Sequence, residues 1–560
     1  MQRTCKQCSA EFGITDEDLA FYEKVSPVFG GKTYMFPPPT LCPDCRAARR
    51  YPIRNERKLY HRTCDATGKD IISIYSPDKP YTVYDTEAWW SDNWDPLSYG
   101  KEIDFSKPFF GQLQDLLLAV PHLAMINVQN ENSPHVNQCG WSKNCYMAFM
   151  TDFSQECYYT ESCFYSKNCV DCMGMHESEL CYGCIDCSKC YHTFFSQDCS
   201  NSSDCSFCYD CKGCRNCLGC VGLRNAEYYI NNERLTPEEW QKQAKKWTTY
   251  TPALIEEHRK KALALKLRMP HPHAVMTNCT DCTGNYLSDS KNARVCFDGV
   301  KAEDCRYCTL IPTTSRDCYD MTGGAGELLY ETISVGPGYH SSFVWHCWNE
   351  IADLLYCIFC MNGSKNLFGC VGLKKKQYCI LNRQYTKEEY EILVPKLIEH
   401  MRKTGEWGEF FPSFMTPFAY NETVAQEYVP LTQKEAEKRG YQWREEIDEI
   451  PKVEKIIPAD RLPVDIGDIP NDILHWAIEC RKTGRPYRII RQELAFYREQ
   501  GLSIPRLHPD ERYRWRLSQR NPRRLWTRNC AKCDKEIETT YAPGRPEIIY
   551  CEECYLKEVY

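Results

Sequence analysis

Between Cys139 and Cys220 the small apolar positions are held mostly by cysteine, and they recur on a fixed spacing. Cys139, Cys145, Cys157, Cys163, Cys169, Cys181, Cys187, Cys199, Cys205, Cys211 and Cys217 fall on one register of six, with vacancies at Thr151, Met175 and Thr193. Three residues further on stand Cys172, Cys184, Cys190, Cys208, Cys214 and Cys220, and elsewhere a small residue such as Ser142, Ala148, Ser166 or Ser202. The residue before the first position is often turn-favouring, as at Asn144, Asn168, Asp186, Asp198, Asp204, Asp210 and Asn216. A register kept up this long predicts stacked coils, because equivalent positions lie on one another in successive repeats. Three hexads make an 18-residue triangular coil with Cys145, Cys163, Cys181, Cys199 and Cys217 as one ladder. The expected element is a parallel β-solenoid of open handedness; an irregular string of zinc knuckles is the alternative.

The same pattern raises the question of metal. Cys169 with Cys172, Cys187 with Cys190 and Cys205 with Cys208 recur at intervals of three hexads. Strands stack about 4.8 Å apart, so two such pairs would present four sulfurs to one additional zinc or to an iron–sulfur cluster. Against this, free cysteine is also a small hydrophobe suited to a narrow core. A later stretch of the chain replaces Cys181 by Leu329 and Cys205 by Leu354 while keeping Cys305, Cys308, Cys318, Cys357, Cys360 and Cys370. Leucine in place of cysteine marks a core position, and packing is the favoured reading.

Self-comparison organises the rest. LGCVGLRNAEYYINNERLTPEEW from Leu218 recurs 150 residues later as FGCVGLKKKQYCILNRQYTKEEY, with offsets of 149 at Ser166 and 148 at Tyr191. Two tandem copies, 137–268 and 277–408, therefore follow one another. Each closes on a capping box, Thr236 with Glu239 and Thr386 with Glu389, which predicts a helical cap. The ends repeat as well: LAFY occurs near Leu19 and near Leu494, and RNERKLY from Arg54 matches RNPRRLW from Arg520. The chain reads as module, copy, copy, module, with boundaries at 1–95, 96–136 (a connecting segment), 137–268, 277–408, 409–475 and 476–560. Of these, 409–475 is an acidic, proline-spaced linker with a short helix near Thr432.

Each end module carries one pair of C-x-x-C knuckles. Cys5, Cys8, Cys42 and Cys45 form one candidate site and Cys530, Cys533, Cys551 and Cys554 the other, each with the four thiolates that tetrahedral zinc prefers. Alignment of the modules exposes two vacated sites. The first tetrad corresponds to Cys480, Thr483, His508 and Glu511, and the second to Cys64, Thr67, Asp85 and Ala88. Both have become Cys-x-x-Thr-Gly, so a threonine hydrogen bond is expected to stand in for the metal. The segment CKQCSAEFGITDEDLAFY…PPPTLCPDCRAARR resembles a small zinc-ribbon family with two cysteine knuckles, a Phe-Tyr pair between them and Cys-Pro-x-Cys-Arg at the second. That resemblance implies zinc at Cys5, Cys8, Cys42 and Cys45. The whole chain also resembles large cysteine-rich zinc-ribbon proteins of reduced-genome uncultivated bacteria, which implies no activity.

Charge adds a candidate surface. Arg46–Arg62 and Arg506–Arg528 each carry a balance of +6, so the rest of a chain with net charge −7 carries −19. Arginine forks bind phosphates and stack on bases, which makes Arg46, Arg49, Arg50, Arg54, Arg57, Arg520, Arg523, Arg524 and Arg528 candidates for RNA or DNA contacts. The alternative is that they pair with the acidic remainder. A protein partner or self-assembly through the solenoid is a further expectation. WWSDNWDPLSYG, from Trp89, reads as packing between domains rather than a ligand platform. The scattered His61, His135, His176, His192 and His340 define no nucleophile–base pair, so catalysis finds no support.

No apolar h-region follows the first residues and no run of about 18 apolar residues occurs, so neither a signal peptide nor a transmembrane helix is expected. With 38 cysteines in 560 residues, a reducing cytoplasm is the expected setting, where thiols act as ligands or core residues. The expected fold is multidomain and mainly β: two zinc-ribbon modules flanking tandem cysteine-rich parallel β-solenoids with helical caps, holding two structural Zn2+ ions. The expected role is a non-enzymatic nucleic-acid-binding or scaffolding protein; a thiol-rich metal or redox carrier is the alternative.

Overall fold

A computed structural model describes residues 1–162, 166–174, 178–336, 338–445 and 451–560. Cys163, Met175 and His176 of the sequence pattern lie outside the described residues. Several separate sheets, most of them small, make up a multidomain, strand-rich chain.

From Tyr146–Phe149 to Glu227–Ile230 the strands of one sheet run parallel in sequence order. Each pairs with the strand two hexads further on: Cys157 faces Cys169, Cys181 faces Thr193, Thr193 faces Cys205 and Cys217 faces Tyr229. The expected repeat of three hexads is thereby corrected to two. The cysteine column is Cys145, Cys157, Cys169, Cys181, Thr193, Cys205 and Cys217, and Cys199 of the expected ladder stands in a different column.

Backbone conformation explains the spacing. Every third residue is left-handed: from Phe195 through Asp198, Asn201, Asp204, Phe207, Asp210, Gly213 and Asn216, φ lies between +48° and +65°. L-residues resist this region, and Asn, Asp and Gly resist it least, which accounts for the Asn and Asp before so many cysteines. The residue after each left-handed one is buried, as Cys199, Ser202, Cys205 and Cys208 show in succession. The two registers of six are therefore one register of three, with four triplets to each repeat.

Among the described residues mostly small side chains fill this interior, and they do more than fill it. The Cys172 thiol donates to the carbonyls of Val170 (3.3 Å) and Cys181 (3.4 Å), and Cys208 to those of Ser206 (3.5 Å) and Cys217 (3.3 Å). Ser202 repeats the geometry with Ser200 (3.0 Å) and Cys211 (3.2 Å). Cysteine and serine exchange here because both are small and both can donate to nearby carbonyls.

The second copy runs parallel from Met276–Thr277 to Gln377–Ile380, in two main sheets and with less regular shifts. Met276 faces Leu287, Asn285 faces Phe297, Thr309 faces Thr322 and Leu354 faces Leu367, shifts of 11, 12, 13 and 13. These one-residue changes produce the drifting offset between the copies. Leu329 and Leu354 are fully buried beside Cys318 and Cys357, the core position their identity implied. An antiparallel hairpin closes each copy before its capped helix, Pro237–Trp247 or Lys387–Thr404, and both capping boxes form.

The end modules dock crosswise. The outer face of the first copy, with Val170, Tyr182, Phe194 and Leu218, shares a core with Leu494, Phe496 and Tyr497 of the C-terminal module. The second copy shares a core with Phe21, Tyr22 and Phe36 of the N-terminal one. Both LAFY repeats serve this contact: Tyr22 meets Tyr330 at 5.1 Å between ring centroids, and Tyr497 meets Tyr182 at 5.8 Å. The expected linker 409–475 is in large part packed structure, since Phe410, Phe411, Met415, Phe418 and Tyr420 are buried. Its predicted helix spans Gln433–Lys438, capped by Thr432.

Candidate metal centres and the arginine clasps

In each end module a short antiparallel hairpin presents the first knuckle and a helix N-terminus the second. Cys5 and Cys8 sit at the turn between Gln2–Thr4 and Glu11–Gly13, and Cys42 caps the helix Pro43–Arg50. Cys530 and Cys533 lie between Trp526–Asn529 and Glu536–Thr539, and Cys551 caps Glu552–Val559. Within each tetrad all four sulfurs lie within 4.8 Å of one another. Cys8 and Cys42 are 3.7 Å apart, as are Cys533 and Cys551. A tetrahedron with metal–sulfur bonds of about 2.3 Å has edges of about 3.8 Å, so both sets fit a metal ion without rearrangement.

The electrostatics favour ionisation of some cysteines of each tetrad, Cys5 and Cys42 in one and Cys530 in the other, while their neighbours Cys45 and Cys554 are raised. Hydrogen bonding with Cys45 is the largest influence on Cys42 and brings it down to about 5. Burial opposes ionisation of Cys530, but the amides of Cys551, Cys533 and Lys532 outweigh it and bring it to about 6. A thiolate is the form that binds metal.

The vacated sites keep this framework. In the intact C-terminal tetrad the Cys551 amide donates to Cys530 Sγ at 3.2 Å; in the vacated ones Asp85 donates to Cys64 and His508 to Cys480, also at 3.2 Å. Thr67 Oγ1 donates to Asp85 Oδ2 at 3.0 Å, bridging two former ligand positions. In the other, Thr483 acts on the Cys480 thiol, while Glu511 pairs instead with Lys482 at 2.7 Å. The expected threonine substitution is present in both, with different partners.

Among the described residues no other group of His, Cys, Asp or Glu gathers as these two tetrads do. The Cys169–Cys172, Cys187–Cys190 and Cys205–Cys208 pairs do not stack on one another, because strands pair at two hexads rather than three. Cys169 lies between Cys157 and Cys181, and Cys187 and Cys205 occupy different columns.

The arginines expected to meet phosphates are for the most part turned inward. Arg46, Arg50 and Arg54 are at most 1% exposed, a correction to their reading as phosphate contacts. Arg46 Nε pairs with Asp320 at 2.7 Å, and Arg50 Nη1 with the same carboxylate at 3.5 Å. The equivalent Arg512 and Arg516 of the other module both pair with Asp171, the residue equivalent to Asp320, with Arg516 Nη1 at 2.8 Å. One clasp thus occurs twice, tying each module to the copy far from it in sequence.

The other arginines are engaged in similar ways. Arg49 reaches Glu331 (2.6 Å) and Glu409 (3.0 Å), and Arg54 reaches Glu56 (2.5 Å) and Gln138 (2.7 Å). Arg520 holds Asp186 (2.7 Å) and Asp298 (2.6 Å), and Arg523 also takes Asp298 (2.7 Å). Arg57 lies over the Tyr513 ring at 3.5 Å. Arg528 approaches the Glu547 carbonyl at 3.5 Å. Arg524 is mostly exposed, 61% at its side chain, with Asp44 at 3.8 Å.

The tryptophan cluster also acts within the chain. Lys374 Nζ donates to the Trp89 carbonyl at 2.7 Å and sits 4.4, 5.4 and 5.1 Å from the rings of Trp89, Trp90 and Trp94. The equivalent Arg224 of the first copy is held by Asp210 and by Tyr555 of the other module. Among the histidines, His192 and His340 pair with Asp204 (2.8 Å) and Asp353 (3.0 Å) near the surface.

Sequence reasoning missed the aspartate side of the clasps. The signal was available: Arg46 and Arg512 correspond across the module duplication, and Asp320 and Asp171 across the central one. No helix of the described residues is long and apolar enough to cross a membrane. No protein-family model matches the chain, and no curated protein matches it.

Proposed function

We propose that this protein is a non-enzymatic scaffold: two cysteine-lined β-solenoids whose outer faces are locked by two zinc-ribbon modules, one structural zinc in each. Zinc is the ion of choice because four thiolates in a closed tetrahedral site, most of them buried, leave no open position for substrate. The thiol-only ligand sets and the family resemblance of the first 50 or so residues support the same ion. The observation that carries the reading is that the helix of each closed four-cysteine tetrad docks on one copy, Pro43–Arg50 through Asp320 and Glu552–Val559 through Tyr555 to Asp210, which directs the modules' chemistry toward holding the solenoids. A metal- or redox-carrier role has weaker support, since the interior thiols are engaged as hydrogen-bond donors to carbonyls.

The test is ligand removal at one site at a time. Cys8→Ser and Cys533→Ser should each lose one zinc per chain, leave the other in place and lower the melting temperature. A Cys8→Ser protein with unchanged metal content would overturn the assignment of that tetrad.

A further inference from the structure

The two end modules meet around a cavity of about 1440 Å³, whose wall includes Cys8, Cys42 and Cys45 of the first tetrad. Arg57 and Arg523 both line it, and they are the same residue of the duplicated module, standing in RNERK and RNPRR. Their neighbours Lys58 and Arg524, also equivalent, line it too. The cavity therefore lies where the internal duplication brings two like basic segments together.

These guanidinium groups are incompletely satisfied. Arg523 is 8% exposed at its side chain, and its Nε is taken by Asp298, yet Nη1 and Nη2 are buried without a hydrogen-bond partner among the described residues. Nη1 of Arg57 is in the same position. A buried charged donor left unpaired is costly, so such groups favour a ligand that can accept from them. Several carboxylates of the wall also have partners outside this arginine pair: Asp510 is held by Arg485 at 3.0 Å and Glu422 by the Tyr60 hydroxyl at 2.5 Å. Asp298 and Glu56 are engaged by Arg520 and Arg54, and Glu427 accepts from the Tyr513 hydroxyl at 2.8 Å. Burial, reinforced by Glu161, raises Glu427 to about 8, so it places little negative charge in the cavity at neutral pH. Aromatic rings complete the wall: Arg57 stacks on Tyr513 at 3.5 Å and Arg523 on Tyr428 at 4.0 Å, with Tyr286 and Trp526 nearby.

We propose that this cavity binds a nucleoside phosphate, its phosphate held between Arg57 and Arg523 and its base against the aromatic wall. Forked guanidinium donors match phosphate oxygens, rings match a base, and the volume far exceeds what inorganic phosphate would need. The ligand is either a free nucleotide or the 5′-phosphorylated end of a single strand; the recognition chemistry is shared.

The test uses the full-length, zinc-loaded protein with four probes in calorimetry: adenosine, adenosine 5′-monophosphate, and a short single-stranded oligonucleotide with and without a 5′-phosphate. The phosphate-bearing member of at least one pair should bind tenfold or more tightly than its partner. A preference in both pairs points to a nucleotide site; a preference in the oligonucleotide pair alone points to a strand end. Arg57→Gln and Arg523→Gln should each weaken that binding about tenfold or more, and Arg523→Lys should restore only part of it. Arg57 holds no carboxylate in an ion pair among the described residues, so its variant tests the site even if Arg523→Gln folds poorly. Absence of a phosphate preference, or binding indifferent to Arg57→Gln in protein with normal melting, would overturn the proposal. Zinc content of the same samples reports on the scaffold reading separately.

Discussion

Serine and cysteine share the inward positions of the first copy because the site asks for two things, small volume and a donor. Cys190 illustrates this: Ser178 and Ser202 stand one repeat before it and one after, and its thiol reaches the carbonyls of Ser188 (3.6 Å) and Cys199 (3.5 Å). Cys190→Ser should change stability by less than about 1 kcal/mol and leave metal content untouched. Cys190→Leu should cost about 1–3 kcal/mol by crowding a narrow interior. Denaturant titration under reducing conditions compares them; a serine variant as damaging as leucine would contradict the packing role. The triplet itself was readable in the cysteines, since each inward residue needs a left-handed neighbour that Asn and Asp supply. The number of triplets per repeat was not, because a register of six is compatible with two hexads or three.

Among the elements, the clasps between module and copy have the most to lose from one substitution. Asp171 is 3% exposed and faces both Arg512 and Arg516. Asp171→Ala leaves two buried guanidinium groups without their shared carboxylate, a loss of about 3–5 kcal/mol. Hydrogen exchange should then rise chiefly in 476–519, and Asp320→Ala should do the same to 16–50. An even rise across the chain in both variants would mean that the modules are not separately clasped. The cysteine knuckles of the two tetrads were legible from local spacing, a few residues apart. The clasps were not, because Arg46 and Asp320 are 274 residues apart and Arg512 and Asp171 are 341 apart. A basic stretch looks the same in sequence whether its partner is a phosphate or a distant aspartate.

For the molecule as a whole, a column of buried aspartates runs along the face of the first copy where the C-terminal module docks. Asp186 and Asp198 stand one repeat apart on one outer column, each in the left-handed conformation, with Asp210 next in line. Burial, then the neighbouring Asp186, raises Asp198 to about 7; burial also raises Asp186 to about 6, against the pull of Arg520. Unfolded, these carboxyls titrate at about 4, so the folded chain holds the extra protons. Their contribution is present at low pH and lost as pH rises through about 6 to 7. Relative to the unsubstituted protein, Asp198→Asn should therefore gain in melting temperature as pH rises from about 4 to about 7. Identical slopes in the two proteins would remove Asp198 from the account.

The central claim is that metal belongs to the module tetrads and the remaining thiols to the core. Elemental analysis of anaerobically purified full-length protein, with a visible absorption spectrum of the same sample, tests it most directly. The account predicts two zinc ions per chain, no iron and no visible absorbance. Clearly more than two metal ions, or any iron–sulfur absorbance, would contradict it and make the stacked cysteines a metal array.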